Sequence, residues 1–252
     1  MGFNIKAVGG DAAANVFRWL FPRACWGCEG DLDGNERGLC GRCLNRVVRW
    51  SGWSCRICGV PLPDGGARCY VCRRRRREFR FCRSAGLFEG ILRRSILALK
   101  YGHRDDLAPA LCIPLVRVFK ERSELQKNQC VVPVPLHFIR RHGRGFNQSE
   151  LLGRGLADGV GLPLVSGVLV RRRWTWAQAR LGRDQRKANV AGAFTVRYPD
   201  AVQGKRILLV DDVCTTGATL ESCAEALKQA GARSVDALTL ARDYTGPRPD
   251  SQ

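Results

Sequence analysis

Long apolar segments are missing from this sequence of 252 residues. No run approaches the roughly 20 apolar residues that a membrane-spanning helix needs, and residues 1–22 lack the apolar core of about 7–15 residues found in a secretory signal. The chain also has neither the Gly-Lys-Ser/Thr ending of a P-loop nor the three spaced glycines of a dinucleotide fingerprint. We therefore expect a soluble cytoplasmic protein without a membrane span, whose ligand site is of another kind.

Acidic residues are scarce, with 23 Asp and Glu against 42 Lys and Arg, and the formal net charge is +19. Such an excess of positive charge predicts attraction to polyanions. Nucleic acid, a substrate that carries pyrophosphate and plain solubility all fit this balance. Charge alone does not select among these three interpretations.

Cysteine, by contrast, is abundant: the chain has 13, and eight of them form four Cys-x-x-Cys pairs. In a chain without a secretory signal, this pattern favours metal binding over disulfides. Two intervening residues let one turn present both sulfurs to one ion, and two such pairs complete the tetrahedron that structural Zn²⁺ accepts. The pairs are Cys25/Cys28, Cys40/Cys43, Cys55/Cys58 and Cys69/Cys72.

The even spacing of these pairs predicts two structural zinc ions, as in a double zinc ribbon. We expect sequential sharing, with the first two pairs on one ion and the last two on the other, while a cross-braced arrangement stays open. All four positions around each ion would be filled by protein, so the ions would serve folding rather than chemistry. A segment of about 50 residues with few apolar side chains needs such metal cross-links to fold stably.

Five consecutive arginines follow the last cysteine pair, at residues 73–77. They form either a solvated linker that their charges keep extended or a contact for a phosphate backbone. Trp26, Trp50 and Trp53 lie in the cysteine-rich segment. We expect these tryptophans to fill the small core of that module, and stacking on single-stranded bases is the alternative.

The composition becomes that of an ordinary α/β domain near residue 84, which divides the chain. Residues 88–99 and 107–120 show helical spacing of apolar residues. The turn at residues 100–104 between them either contacts substrate or is a plain surface turn. The predicted divisions are a lead segment at 1–22, a double zinc ribbon at 23–75, a basic linker at 76–83, the α/β domain at 84–242 and a disordered tail at 243–252.

The most informative segment is a buried strand that leads into a helix through small and hydroxylated residues. Residues 207–210 form an apolar run typical of a parallel strand, and residues 220–230 have helical periodicity. Amides at the start of a helix, with nearby hydroxyl groups, can surround a phosphate dianion, and glycine lets the backbone approach it closely. Two acids at the strand end can bind sugar hydroxyls or a hydrated Mg²⁺. The candidate residues are Asp211, Asp212, Thr215, Thr216, Gly217, Ala218 and Thr219.

Acids at a strand end often only cap the next helix, but the complete string at residues 211–219 is more specific than that interpretation. It resembles the loop that binds phosphoribosyl pyrophosphate (PRPP) in type I phosphoribosyltransferases. The resemblance implies that the acid pair binds the 2- and 3-hydroxyls of ribose and that the following loop takes the 5-phosphate. It also implies Mg²⁺ as the companion of PRPP.

Two further motifs and the cysteine-rich start narrow the resemblance to one family. The motifs are Val-Pro-Val-Pro-Leu at residues 132–136 and Arg-Gly-Phe-Asn-Gln at residues 144–148. With the string at 211–219, they make the chain similar to the ComF family of bacterial phosphoribosyltransferase-like proteins over residues 21–242. The resemblance implies a pyrophosphate loop, where amides and an arginine fork neutralise the leaving group. Its positions here are Arg144, Gly145, Phe146 and Asn147.

A third segment, residues 175–194, matches the pattern Thr-x2-Gln-x2-Leu-x4-Arg-x2-Asn-x4-Phe of ComF-like chains. In the enzymes the corresponding element is a mobile loop that folds over PRPP and excludes water while charge develops at C1. The resemblance therefore implies a mobile loop here. Its expected members are Gln178, Arg183, Arg186, Lys187 and Asn189.

The predicted fold class is α/β: a type I phosphoribosyltransferase fold, with a Rossmann-like, mainly parallel five-stranded sheet and flanking helices, behind a small zinc-ribbon module. The ligand site is expected at the carboxyl ends of the strands. The favoured function is handling or transfer of a phosphoribosyl group from PRPP, a pentosyl transfer. The alternative is a non-catalytic accessory protein that binds nucleotides or single-stranded DNA. The ComF resemblance implies a link to natural transformation, with single-stranded DNA or the DNA-uptake machinery as partners.

Overall fold

A computed structural model describes residues 24–34, 36–136, 145–172 and 192–247. Its strands are β1 (Cys82–Leu87), β2 (Cys130–Pro133), β3 (Leu169–Arg171), β4 (Phe194–Val196), β5 (Arg206–Cys214) and β6 (Ser234–Arg242). Its α-helices are α1 (Gly41–Asn45), α2 (Tyr70–Arg74), α3 (Gly90–Tyr101), α4 (Ala108–Glu121), α5 (Gln148–Val160) and α6 (Ala218–Gln229). Short 3₁₀ turns lie at Asp105–Leu107, Leu125–Lys127 and Pro199–Ala201.

The main sheet is parallel and has the strand order β1-β6-β5-β2. Within the described residues it has four strands, one fewer than the sequence predicts, because β3 and β4 pair with each other in a separate antiparallel ribbon. All four carboxyl ends of the parallel strands therefore face one edge of the sheet. The prediction of an α/β fold with a parallel sheet and flanking helices is confirmed.

Strand β5 lies inside the sheet, with β6 on one side and β2 on the other. Its apolar residues 207–210 are fully buried, as expected of a parallel strand covered on both faces. The apolar run ends at residue 210, but the strand continues to Cys214, because residues 211–214 still pair with the end of β6. The two acids are therefore part of the strand, and the strand pairing fixes the position of their backbone.

The two halves of the cysteine-rich segment, one with the first two cysteine pairs and the other with the last two, pack on opposite faces of the sheet. Alternating residues of β5 and β6 contribute to two separate cores, as expected because successive side chains of a strand point to opposite faces. The first core contains cysteines 25, 40 and 43 with helices α3 and α4, and the second contains cysteines 55, 58 and 72 with helix α6. The first contact is close: a Cβ atom at Gly27 would lie 2.7 Å from Cδ1 of Ile91.

The segment between the last cysteine pair and the sheet is folded against the domain. Phe79 is buried, and Arg80 donates to both carboxylate oxygens of the fully buried Asp236, at 2.8 and 2.5 Å. Asn128 donates to the same carboxylate at 3.0 Å. Strand β1 begins at Cys82, two residues before the predicted start of the α/β domain.

Candidate functional site

The acid pair of β5 lies beside the start of α5 and the end of α3, and its second member is enclosed. Asp212 is buried, with 4% of its surface exposed. Lys100, in the last turn of α3, lies 2.8 Å from its Oδ1 atom, and the Gln148 side chain donates to its Oδ2 atom at 2.7 Å. Both carboxylate oxygens of Asp212 are thus held by side chains of the protein.

The first member, Asp211, is partly exposed and less tightly held. The Ser149 hydroxyl donates to its Oδ1 atom at 2.8 Å. Burial, followed by the negative charge of Asp212, raises the pKa of Asp211 to about 7, against the opposing effects of Ser149 and Lys100. Asp211 can therefore gain or lose a proton near neutral pH.

The loop that follows β5, residues 215–219, turns sharply into helix α6. Gly217 precedes the helix with φ of 79°, a left-handed conformation that favours glycine. The Ala218 amide donates to the Thr216 hydroxyl at 3.3 Å, and no side chain caps the helix from position 217. The loop thus leads into the positive end of a 12-residue helix dipole, which favours an anion.

An acid in the first turn of α6 is neutralised by the arginine run. Glu221 accepts a hydrogen bond from Arg77 at 2.7 Å and another from Arg75. Arg77 also donates to the backbone carbonyl of Thr216 at 3.2 Å, and only 5% of its side chain is exposed. The run at 73–77 is therefore neither wholly a solvated linker nor wholly a free basic surface, because its last member is buried against the 215–219 loop.

Cys214 ends β5 in a buried, positively charged environment. Arg242 donates to its sulfur at 2.7 Å and to the carbonyl of Cys58 at 3.1 Å. The Cys82 thiol and then the Arg242 guanidinium lower the pKa of Cys214 to about 6, against the effect of burial. The end of β5 is thereby joined to the second half of the cysteine-rich segment.

Residues 145–147 reach the same edge of the sheet. Gly145 has φ of 78°, and Phe146 is half-buried. Asn147 caps helix α5 by accepting from the Ser149 amide at 3.2 Å, and its side chain donates to the Val134 carbonyl at 3.2 Å. The residues that follow, 148 and 149, contact the acid pair, so the structure brings this loop next to it.

Several candidate residues from the sequence lie outside the described residues. They are Arg144 of the pyrophosphate loop and the five expected members of the mobile loop, Gln178, Arg183, Arg186, Lys187 and Asn189. Their proposed roles stay predictions. Residues 215–219 and 145–147, by contrast, lie at one edge with the acid pair.

The eight paired cysteines form two groups, and the sulfur atoms within each group all lie within 4.8 Å of one another. The first cysteine cluster is Cys25, Cys28, Cys40 and Cys43, and the second is Cys55, Cys58, Cys69 and Cys72. The prediction of sequential sharing is confirmed. Four thiolates fit structural Zn²⁺, and in the first cluster the Gly27 and Cys40 amides donate to the Cys25 sulfur at 3.3 and 3.2 Å, which stabilises its ionised form.

The tryptophans correct one expectation from the sequence. Trp53 is 65% exposed and Trp26 is 39% exposed, so the prediction that they fill the core of the module is wrong for both. The Trp50 indole donates to the Trp53 carbonyl at 2.7 Å and its ring packs edge-on against Tyr244. The cysteine clusters supply the buried centre of the ribbons instead, together with Leu39 and Leu44 in the first one.

Four residues at the site were not assigned to it from the sequence. Lys100 was named only as part of a turn with two interpretations, and Gln148 only as the end of a motif. Ser149 belongs to none of the motifs, and Arg77 is one of five consecutive arginines. The one available signal was the position of Gln148 and Ser149 immediately after the 144–147 loop.

Two family models match the chain: a double zinc ribbon domain over residues 16–73 and a phosphoribosyl transferase domain over residues 147–252. The DNA utilization protein YhgH of Salmonella typhimurium is 33% identical over 224 residues, which cover 88% of this chain and 97% of that protein. Competence protein F of Haemophilus influenzae is 28% identical, with 88% and 98% of the two chains covered. The chain belongs to the ComF family.

Competence protein ComFC of Bacillus subtilis, a further ComF relative, is 28% identical over 213 residues, with 82% of this chain and 85% of that protein covered. The matches support the type I phosphoribosyltransferase fold and the double zinc ribbon that the sequence predicts. Among the described residues, no helix combines the length and the apolar character required to cross a membrane.

The raised pKa of Asp211 predicts how stability depends on pH. A carboxyl group whose pKa is raised from 3.8 to about 7 by folding stabilises the fold fully below its unfolded pKa, and this stabilisation is lost as the pH rises through about 7. When the pH is lowered from 8 to 6, we therefore expect the free energy of unfolding of the wild type to rise by about 1–1.5 kcal/mol relative to that of Asp211→Asn. This corresponds to a rise of about 3 °C in Tm relative to the variant. Thermal unfolding of both proteins checks this, and a constant difference in Tm would contradict it.

Proposed function

We propose that this ComF-family protein binds PRPP or a closely related sugar phosphate, with Mg²⁺, and handles or transfers its phosphoribosyl group in the cytoplasm. One observation carries the proposal: an acid pair, a helix-opening loop and a second loop with a left-handed glycine meet at the carboxyl edge of one parallel sheet. Ligands of open α/β sheets bind at such an edge. The match to a phosphoribosyl transferase domain supports the same substrate class.

The contacts support different roles for the two acids. Asp212 already has an ion pair with Lys100 and a hydrogen bond from Gln148, so its role is to hold α3 and α5 against β5. Asp211 keeps oxygen capacity for a sugar hydroxyl or for a water of hydrated Mg²⁺. The ribose is therefore assigned mainly to Asp211, which refines the equal roles that the family resemblance implies.

The phosphate groups are assigned to the two loops. The 215–219 loop takes the 5-phosphate through backbone amides at the start of α6, where the helix dipole favours negative charge. The 144–147 loop takes the pyrophosphate. In a transfer, an acceptor nitrogen attacks C1 as the bond from C1 to the pyrophosphate oxygen breaks, and the protein contributes positioning and charge stabilisation.

Calorimetric titration of PRPP into the zinc-loaded protein tests the site. We expect binding that requires Mg²⁺, a loss of at least about tenfold in affinity for Asp211→Asn because a ribose or metal contact is removed, and no change for Asp158→Asn, an exposed acid on α5. We expect Asp212→Asn to lower Tm, because the variant loses the ion pair with the half-buried Lys100 in the last turn of α3. Equal affinities for the wild type and Asp211→Asn, or no binding by the wild type, would overturn the proposal.

A second candidate function, binding of single-stranded DNA, is favoured by a surface of the second ribbon. Tyr70 is 60% exposed and stacks with Arg74 at 4.5 Å from the ring centroid, and Trp53 is 65% exposed. A cleft of about 430 Å³ beside them is lined by Arg68, Tyr70 and Arg73. Exposed aromatic rings among arginines suit stacked bases and phosphates, and two relatives are named for competence and DNA utilization.

Fluorescence anisotropy with a labelled oligonucleotide tests this surface. We expect Tyr70→Ala to weaken binding about tenfold, because stacking contributes about 1–3 kcal/mol per base, and affinity to fall steeply with salt. The matched control is Tyr198→Ala, since Tyr198 is a similarly exposed tyrosine far along the chain from the ribbons. Equal losses in the two variants, or none in either, would exclude the ribbon as the DNA-binding surface.

A further inference from the structure

Two buried arginines lie between the second cysteine cluster and the segment formed by the end of β5 and the 215–219 loop. Arg242 donates to the Cys58 carbonyl on one side and to the Cys214 sulfur on the other, at 3.1 and 2.7 Å. Arg77 follows Cys72 by five residues along the chain and donates to the Thr216 carbonyl at 3.2 Å. The Arg242 guanidinium therefore connects the second cysteine cluster to the last residue of β5, immediately before the loop.

The arginine run is divided into outward and inward members. Arg73, Arg74 and Arg76 are exposed, whereas Arg75 is half-buried and Arg77 is buried, and these two converge on Glu221. This division follows from the metal site, because Cys72 lies in α2, the helix after which the run leaves the ribbon. A cysteine fixed by Zn²⁺ only five positions earlier limits where the Arg77 side chain can reach.

The negative charge of Glu221 affects how well the 215–219 loop can bind an anion. Its carboxylate lies in the first turn of α6, near the helix start where an anion would bind, and it would repel a phosphate dianion if left unpaired. Arg77 pairs with Glu221 and also holds the Thr216 carbonyl. One side chain thus neutralises the competing charge and fixes the backbone of the loop.

We propose that Arg77 is a positioning residue that couples the second zinc site to the 215–219 loop, so that Zn²⁺ bound there holds the loop ready for an anionic ligand. The ribbon is then part of the ligand site and more than an appended folding module. The ligand half of this inference rests on the proposed function, whereas the coupling between the metal and the loop does not. The two halves can therefore be tested separately.

Hydrogen exchange of the zinc-loaded full chain, followed by mass spectrometry, tests the coupling without any ligand. We expect Arg77→Gln to raise exchange about tenfold in peptides that cover residues 215–221, with Arg77→Lys intermediate because it keeps the charge and loses the forked geometry. The adjacent exposed Arg76→Gln is the matched control and should match the wild type. Peptides from β2 serve as an internal reference, because a general loss of stability would raise exchange there too.

Removal of zinc provides the second arm of this experiment. In the wild type, chelation should raise exchange in the same peptides and added Zn²⁺ should restore it, whereas in Arg77→Gln the loop should respond little, since its link to the metal is already cut. Coupled changes are non-additive in this way. Additive effects of chelation and substitution, or equal loop exchange in the Arg77→Gln and Arg76→Gln proteins, would overturn the inference.

Titration of Mg²⁺ and PRPP into the same proteins separates this inference from the proposed function. We expect about tenfold weaker binding for Arg77→Gln and unchanged binding for Arg76→Gln. Absence of binding by the wild type would refute the proposed function, while the exchange data would still decide the coupling. Wild-type affinity in an Arg77→Gln protein whose loop exchanges faster would refute the ligand half alone.

Discussion

The parallel pairing of β5 with β6 and β2 is the constraint on which the rest of the structure depends. It fixes the register in which residues 207–210 are buried on both faces, and it sends the carboxyl ends of three strands to one edge. The acid pair is held in the last residues of β5, and the chain then turns through Gly217 into α6. On the other side of β5, the segment after β2 leads to α5, whose first residues contact the acids.

The cysteine clusters use this sheet as a platform and stabilise it in return. One packs against α3 and α4, and the other packs against β1, Cys214 and the start of α6. A ribbon with few apolar side chains depends on metal–thiolate bonds for its own order. Because Arg242 joins the second cluster to the end of β5, and Arg77, five residues after Cys72, holds the 215–219 loop, the order that the metal imposes reaches the edge where the proposed ligand binds.

Local patterns in the sequence predicted the features that depend on neighbouring residues. The Cys-x-x-Cys spacing predicted both clusters, and the string at 207–219 predicted the strand, turn and helix. The sequence could not predict contacts between distant positions, because no local pattern relates Arg77 to Glu221, which lies 144 residues away, or Lys100 to Asp212. The exposure of Trp26 and Trp53 was also missed, because the sulfur clusters occupy the centre that tryptophans would otherwise fill.

We propose that one edge of the sheet forms a single sugar-phosphate site in which Asp211, rather than Asp212, meets the sugar. A crystal structure of the zinc-loaded protein with Mg²⁺ and PRPP tests it most directly. We expect the 5-phosphate on the amides of the 215–219 loop, the ribose or its metal-bound water against Asp211, and an intact ion pair between Lys100 and Asp212. PRPP bound away from that loop, or a ribose held by Asp212 after Lys100 has moved away, would contradict it.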